Sequence, residues 1–140
     1  VAAVGVAAGV SAGAVRRWAQ AVLEGEGVGA ATISVTFLSS QRMRALNRRS
    51  LGRDRATDVI AFPLRHPGVV AGDIYICPGV ARRSAREADI STRQEILRLV
   101  IHGLLHVLGH DHPQGGGRTR SRMWRVQERW VQRLAAGASP

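Results

Sequence analysis

His102-Gly103-Leu104-Leu105-His106-Val107-Leu108-Gly109-His110-Asp111-His112 holds four of the chain's five histidines. His102 and His106 are four apart, so on a helix their imidazoles lie one above the other on the same face. Two imidazoles in that register can share one metal ion. Gly109 can take a positive φ and end the helix, after which the chain can turn and let His112 supply a third nitrogen. Three protein ligands leave the fourth position of a tetrahedral zinc open to water, the pattern of a catalytic site. The spacing H-x3-H-x5-H therefore predicts one zinc ion per chain, held by His102, His106 and His112. A solvated, histidine-rich helix end is the plainer alternative, and it leaves the register unexplained.

Just upstream, Ser91-Thr92-Arg93-Gln94 is a capping-box pattern. It opens a helix that carries Ile96, Leu97, Leu99, Val100, Ile101, Leu104 and Leu105. A helix apolar around most of its surface belongs at the centre of a domain. Towards the N-terminus, residues 1–8 read as a first strand. The run VAAVGVAAGV is also similar to the apolar core of a signal peptide, but nothing basic precedes it and the first charge is Arg16. Ser11 is placed to cap a helix reaching about residue 23, with Val15, Trp18, Ala19 and Val22 on one face. Residues 32–38 alternate Ile33, Val35 and Phe37 with polar side chains, which predicts a half-buried strand. Ser39 or Ser40 caps a helix through about residue 49, with Met43 and Leu46 facing in.

Residues 57–63 (TDVIAFP) read as a strand stopped by Pro63. Residues 69–76 read as its antiparallel neighbour, given the short connection. Pro78 suits the first turn of a helix ending near residue 88. A last helix is predicted from about residue 118 to residue 134. Arg118, Arg122, Arg125, Arg129 and Arg133 form one stripe, and Met123, Val126, Trp130, Val131 and Leu134 form the other. The arginine stripe reads equally well as a solvated face or as an RNA contact. Residues 135–140 read as a frayed tail.

A chain of 140 residues is long enough for one domain with a real core, and a single domain over residues 1–140 is expected. No apolar run approaches the ~20 residues needed to span a bilayer, so no membrane partner is expected. Cys77 is the sole cysteine. It excludes an internal disulfide and fits a reducing compartment, which points to the cytoplasm. The formal net charge is +10, from twenty basic and ten acidic residues, and every basic residue is arginine. Genomic codon bias would explain arginine in place of lysine, but not a twofold excess over acid. That excess points to a polyanion, either nucleic acid or ribosome.

Two families share the metal spacing. The metzincin proteases read H-E-x-x-H-x-x-G-x-x-H and need the glutamate after the first histidine as a general base. Gly103 stands there in this chain, which argues against peptide hydrolysis. HGLLHVLGHDH instead resembles the signature of the YbeY-type rRNA maturation factors, approximately HGxLHLxGYDH. The likeness extends to Leu46-Asn47 followed by TDVIAFP, similar to that family's LN…PTDVLSFP. Gly72-Asp73-Ile74-Tyr75-Ile76 is similar to its GDI strand, and Met123 falls where it usually has methionine.

The resemblance implies an α+β fold, with a small mixed sheet of about four strands packed by about five helices and a metzincin-like metal helix. It implies zinc and a metal-dependent endoribonuclease, and a small basic cleft able to follow a flexible strand makes single-stranded RNA the expected substrate. The resemblance also implies maturation of the 16S rRNA 3′ end and ribosome quality control, with rRNA and the ribosome or small-subunit assembly proteins as partners.

The chain departs from the family pattern in three places. An aromatic-Arg pair is usual shortly after LN, and Ser50-Leu51 occupy it here. That arginine is the expected phosphate contact, and Arg48, Arg49 or Arg53 are the candidates to replace it. Ala56 and Ala61 stand for the proline and serine of PTDVLSF, and His110 stands for tyrosine. His110 reads as a competing ligand or proton shuttle, or as an exposed or stacked side chain. Asp111 reads as a group orienting a ligand imidazole, or as an acceptor of backbone hydrogen bonds in the turn. Asp58 and Asp73 are expected to fix loops. A ribosome-associated zinc-binding protein with vestigial nuclease activity stays as an alternative because of Leu51.

Overall fold

Four strands form one mixed sheet in the computed structural model, which describes residues 1–5, 9–64, 66–110 and 121–136. In chain order the elements are β1 (Ala2–Val4), α1 (Ala12–Gly25), β2 (Ala31–Phe37), α2 (Ser40–Leu51), β3 (Val59–Leu64), β4 (Val70–Ile76), α3 (Pro78–Ala88), α4 (Thr92–Val107) and α5 (Arg122–Ala136). The strand order is β1-β2-β4-β3. β1 and β4 both pair parallel to β2, and β3 pairs antiparallel to β4. The α+β expectation of about four strands and five helices holds.

Local chemistry sets most of the boundaries. The Ser11, Ser39 and Ser91 side chains accept from the backbone N–H groups of Ala14, Arg42 and Gln94 and open α1, α2 and α4. Pro78 stands in the first turn of α3, where its missing N–H costs nothing. Three boundaries differ from expectation. α5 opens at Arg122 and not near residue 118, with the Ser121 Oγ accepting from the Trp124 N–H, and it takes in residues 135 and 136, expected in the tail. The first strand is only Ala2–Val4, since Gly5 turns the chain with φ +102. β3 does not stop at Pro63, which pairs in register with Gly72 and is followed by Leu64. β3 is an edge strand, and an edge tolerates a residue without a donor on its open side.

α4 is the central element and packs against α1, α3, α5, β3 and β4. Ile96, Val100, Ile101, Leu104 and Leu105 are fully buried on it. Its approach to β4 depends on two glycines, one on each element. A Cβ on Gly72 would lie 2.5 Å from Val107 Cγ2, and a Cβ on Gly103 would lie 2.7 Å from Ile74 Cγ2. Each glycine is thus a slot for a branched side chain of the other element. This seats the Gly103–Val107 face on the sheet and turns the neighbouring His102–His106 face towards the flank. A smaller cluster of Met43, Ile60 and Cys77 lies beneath α2, and buried Cys77 takes the place of a small apolar residue. Among the described residues no helix is long and apolar enough to cross a membrane.

Candidate active site

The C-terminal turn of α4 builds the site. Leu108 is the C-cap and Gly109 follows with φ +95. The Gly109 N–H donates to the His106 carbonyl at 3.0 Å, and the His110 N–H donates to the Leu105 carbonyl at 2.9 Å. These are the two bonds of a Schellman ending, which needs the left-handed residue that glycine supplies. The helix therefore stops at Val107, one residue after His106.

His102 and His106 face each other edge to face, with their Nε2 atoms 3.1 Å apart. Tetrahedral zinc with ligand bonds near 2.0–2.1 Å separates two nitrogens by roughly 3.3 Å, so the pair has the spacing of two ligands of one ion. His112 and Asp111 lie outside the described residues. Within the described residues no group of three or more His, Cys, Asp or Glu side chains converges. The structure thus presents two of the three expected ligands in mutual register.

Both imidazoles lie on the wall of a cleft of about 440 Å³, together with Asn47, Leu51, Arg53, Arg55 and Asp58. The loop that carries the two arginines is tied down at both ends. The Arg44 guanidinium makes paired bonds of 2.8 and 3.0 Å to Asp54, and the Asn47 Nδ2 donates to the Arg55 carbonyl at 2.9 Å. The bonds to Arg44 hold the Asp54 carboxyl below its ordinary range. Asn47 is 1% exposed, and its Oδ1 has no hydrogen-bond partner among the described residues. Arg53, one of the candidate phosphate contacts, lines the cleft. Arg48 and Arg49 are exposed on the last turns of α2 and do not line it. Arg55 joins Arg53 instead. Leu51 is 51% exposed at the cleft and is not an apolar anchor.

A second cavity, of about 570 Å³, lies on the other side of His102, between α3, α4 and α5. Here α5 meets the histidines. The Gln127 Oε1 lies 2.7 Å from the His102 Nδ1, and the Gln127 Nε2 donates to the Glu128 Oε2 at 3.0 Å. The Arg98 Nε and Nη2 each donate to Glu128 at 3.0 Å, and Nη1 donates to Glu95 at 3.1 Å. Burial alone would push the Glu128 carboxyl up. The bonds from Arg98 and Gln127, with the Arg98 charge, outweigh it and hold this carboxyl below its ordinary range. Glu95 goes the other way, because desolvation exceeds what Arg98 returns.

His110 faces elsewhere. Its Nε2 is 3.6 Å from the Glu26 Oε1, in a groove that also holds Trp124 and the Arg122, Arg125 and Arg129 stripe of α5. Asp58 accepts from the Val59 N–H at 2.8 Å and holds the entry to β3, as a loop-fixing residue would. Asp73 does not fix a loop but lies inside β4 and accepts from Ser34 of β2 at 2.6 Å, tying the two strands. Gln127 and Asn47 were not singled out for these roles. The signal for Gln127 was a polar residue on the buried stripe between Met123 and Trp130. Asn47 had a similar signal, one turn after Met43.

Fold and site together define a small α+β domain with a facing histidine pair at the end of a buried helix, beside an arginine-bearing cleft. The family model described as Endoribonuclease YbeY matches residues 7–135. The chain belongs to the endoribonuclease YbeY family. It is 43% identical over 102 residues to the endoribonuclease YbeY of Thermus thermophilus, covering 69% of this chain and 73% of that protein. It is 39% identical over 121 residues to the one from Solibacter usitatus, covering 86% and 78%. The solution structure of TM1509 from Thermotoga maritima superposes with a TM-score of 0.70 at 29% identity, covering 96% of this chain and 89% of that one.

Proposed function

We propose that this chain is a zinc-dependent endoribonuclease that cuts single-stranded RNA. In this reading it works in the cytoplasm on 16S rRNA 3′-end maturation and ribosome quality control. The observation that carries the reading is the 3.1 Å Nε2–Nε2 pair on the wall of a cleft with two arginines. Family membership supports the nuclease activity. His102 and His106, joined by His112, would hold the zinc. When bound, zinc supplies Lewis-acid chemistry, activating water and offsetting charge that develops on a phosphate. Arg53 and Arg55 bind and orient the phosphodiester through charge-assisted hydrogen bonds. Asp58, on the same wall, limits the positive charge there. A flexible single strand can follow so small a basic cleft.

Peptide hydrolysis has no support from the helix. The position of the metzincin base is Gly103, which is buried against Ile74 and faces the sheet. The test is cleavage of labelled single-stranded RNA and of casein, with and without chelator. RNA should be cut and chelator should stop it, while casein stays intact. Zinc-loaded protein that leaves RNA intact would defeat the nuclease reading and favour a ribosome-associated zinc protein with vestigial activity. The missing guanidinium at position 51 is the specific observation in favour of that alternative.

Restoring the guanidinium tests that point. Leu51→Arg should leave the melting temperature unchanged, since exposed substitutions stay within about 0.5 kcal/mol. Cleavage should rise if the site lacks a cation and stay level if Arg53 and Arg55 already supply it. A large loss of stability would show that Leu51 is structural.

RNA affinity should fall steeply with salt. Neutralising Arg53 and Arg55 together should make the log–log salt slope shallower by roughly 1.4, two single-strand phosphate contacts. It should also weaken binding more than neutralising Arg125, Arg129 and Arg133. The reverse order would move the RNA path to α5.

A further inference from the structure

The bond between α5 and His102 settles which nitrogen of that ring carries the proton. Arg98 and His102 stand one turn apart on α4, and Glu128 and Gln127 are adjacent on α5. The four side chains form an open hydrogen-bonded chain across the helix pair, Arg98 to Glu128 to Gln127 to His102. An ionised carboxylate only accepts, so the Gln127 group facing Glu128 must be the NH₂. The other end of the same amide, the carbonyl oxygen, then faces the His102 Nδ1. Two acceptors cannot bond each other, so Nδ1 carries the hydrogen and donates it. In the neutral imidazole Nε2 then keeps its lone pair, and it points towards His106. Gln127 is 3% exposed, so water does not compete for its oxygen.

We propose that Gln127 is a positioning residue. Oriented by the Arg98–Glu128 ion pair, it holds His102 as the Nδ1–H tautomer and so makes Nε2 a ready donor atom. Its consequence for zinc rests on the metal reading above, but the tautomer itself does not. With the amide reversed, its NH₂ would face Nδ1, the proton would move to Nε2, and the donor atom would be blocked. Glu128 prevents this, because reversal would set a carbonyl oxygen against its carboxylate. The charge relayed from Glu128 also makes the imidazole a better donor, as carboxylate-linked histidine ligands generally are. The last helix thereby joins the site although none of its residues would touch the metal.

Two measurements on the full chain test this. The first is the ¹⁵N shift pattern of the His102 ring in metal-free protein. The second is zinc affinity by competition with a chelator. Wild type should show the Nδ1–H tautomer. Gln127→Leu should move the ring to the Nε2–H tautomer that free imidazole prefers, and should weaken zinc binding by about 10–100-fold. The exchange Gln127→Glu with Glu128→Gln keeps an acceptor oxygen on Nδ1 and an amide NH₂ to orient it, and should rescue both readouts. If Gln127→Leu fails to fold, Glu128→Gln serves, since it keeps the size and removes the charge that orients the amide; it should give mixed tautomers. An Nε2–H ring in wild type overturns the proposal, as does an unchanged ring in folded Gln127→Leu or Glu128→Gln protein. Wild type with the expected tautomer but no zinc affinity would remove the metal reading and leave the positioning role standing.

Discussion

His106→Ala protein will purify folded and nearly free of zinc. Occupancy should drop from about one ion per chain to roughly a tenth of that or less, because one of the three proposed ligands is gone. Folding should survive. His106 is only half-buried, while Val100, Ile101, Leu104 and Leu105 on the same helix keep the core intact. Metal analysis of the purified protein reads the first part and circular dichroism the second. The same loss is expected for His112→Ala. Full occupancy in His106→Ala would sink the three-histidine assignment. Full occupancy in His112→Ala alone would move the third ligand elsewhere. RNA cleavage should vanish with the metal in both variants.

The second large effect is on stability. Gly103→Glu, which would write the protease motif into the helix, should leave the protein unfolded or insoluble. The new Cβ would lie 2.7 Å from the Cγ2 and 3.2 Å from the Cδ1 of Ile74, which is fully buried and has nowhere to go. Overpacking of that kind costs about 1–3 kcal/mol. An ionised carboxyl aimed at the sheet without a partner costs several kcal/mol more. Together these approach the ~5–15 kcal/mol that holds a domain folded. Gly103→Ala isolates the steric part. Its overpacking of about 1–3 kcal/mol is only partly offset by about 1 kcal/mol of helix propensity, so it should fold but melt clearly below wild type. A Gly103→Glu protein that melts like wild type would show that α4 does not sit on Ile74 as described. The glycine is therefore a packing requirement, and the absence of a protease base follows from it.

The elements legible in the sequence are those whose cause is local. A serine three residues before the N–H it caps marks the starts of α1, α2 and α4. Alternation of Ile33, Val35 and Phe37 marks β2, and all three are buried. Histidines four apart on an apolar helix ended by Gly109 predict the facing pair, because helix geometry alone brings i and i+4 together. The antiparallel pairing of β3 with β4 followed from a connection too short for a crossover.

What required the tertiary structure is whatever joins residues far apart in the chain. The sheet order sets β4 between β2 and β3, which makes β3 an edge and lets Pro63 stay inside a strand. The choice of Arg53 and Arg55 over Arg48 and Arg49 depends on where the Arg44–Asp54 and Asn47–Arg55 bonds hold the loop, and charge counting cannot supply that. The turn of His110 to Glu26 joins the end of α4 to the end of α1. The bond from Gln127 to His102 spans 25 residues. In sequence Gln127 was one polar residue on an apolar stripe. Only the packing of α5 on α4 places its oxygen against an imidazole, since side-chain partners across two helices are set by how the helices seat and not by spacing along either one.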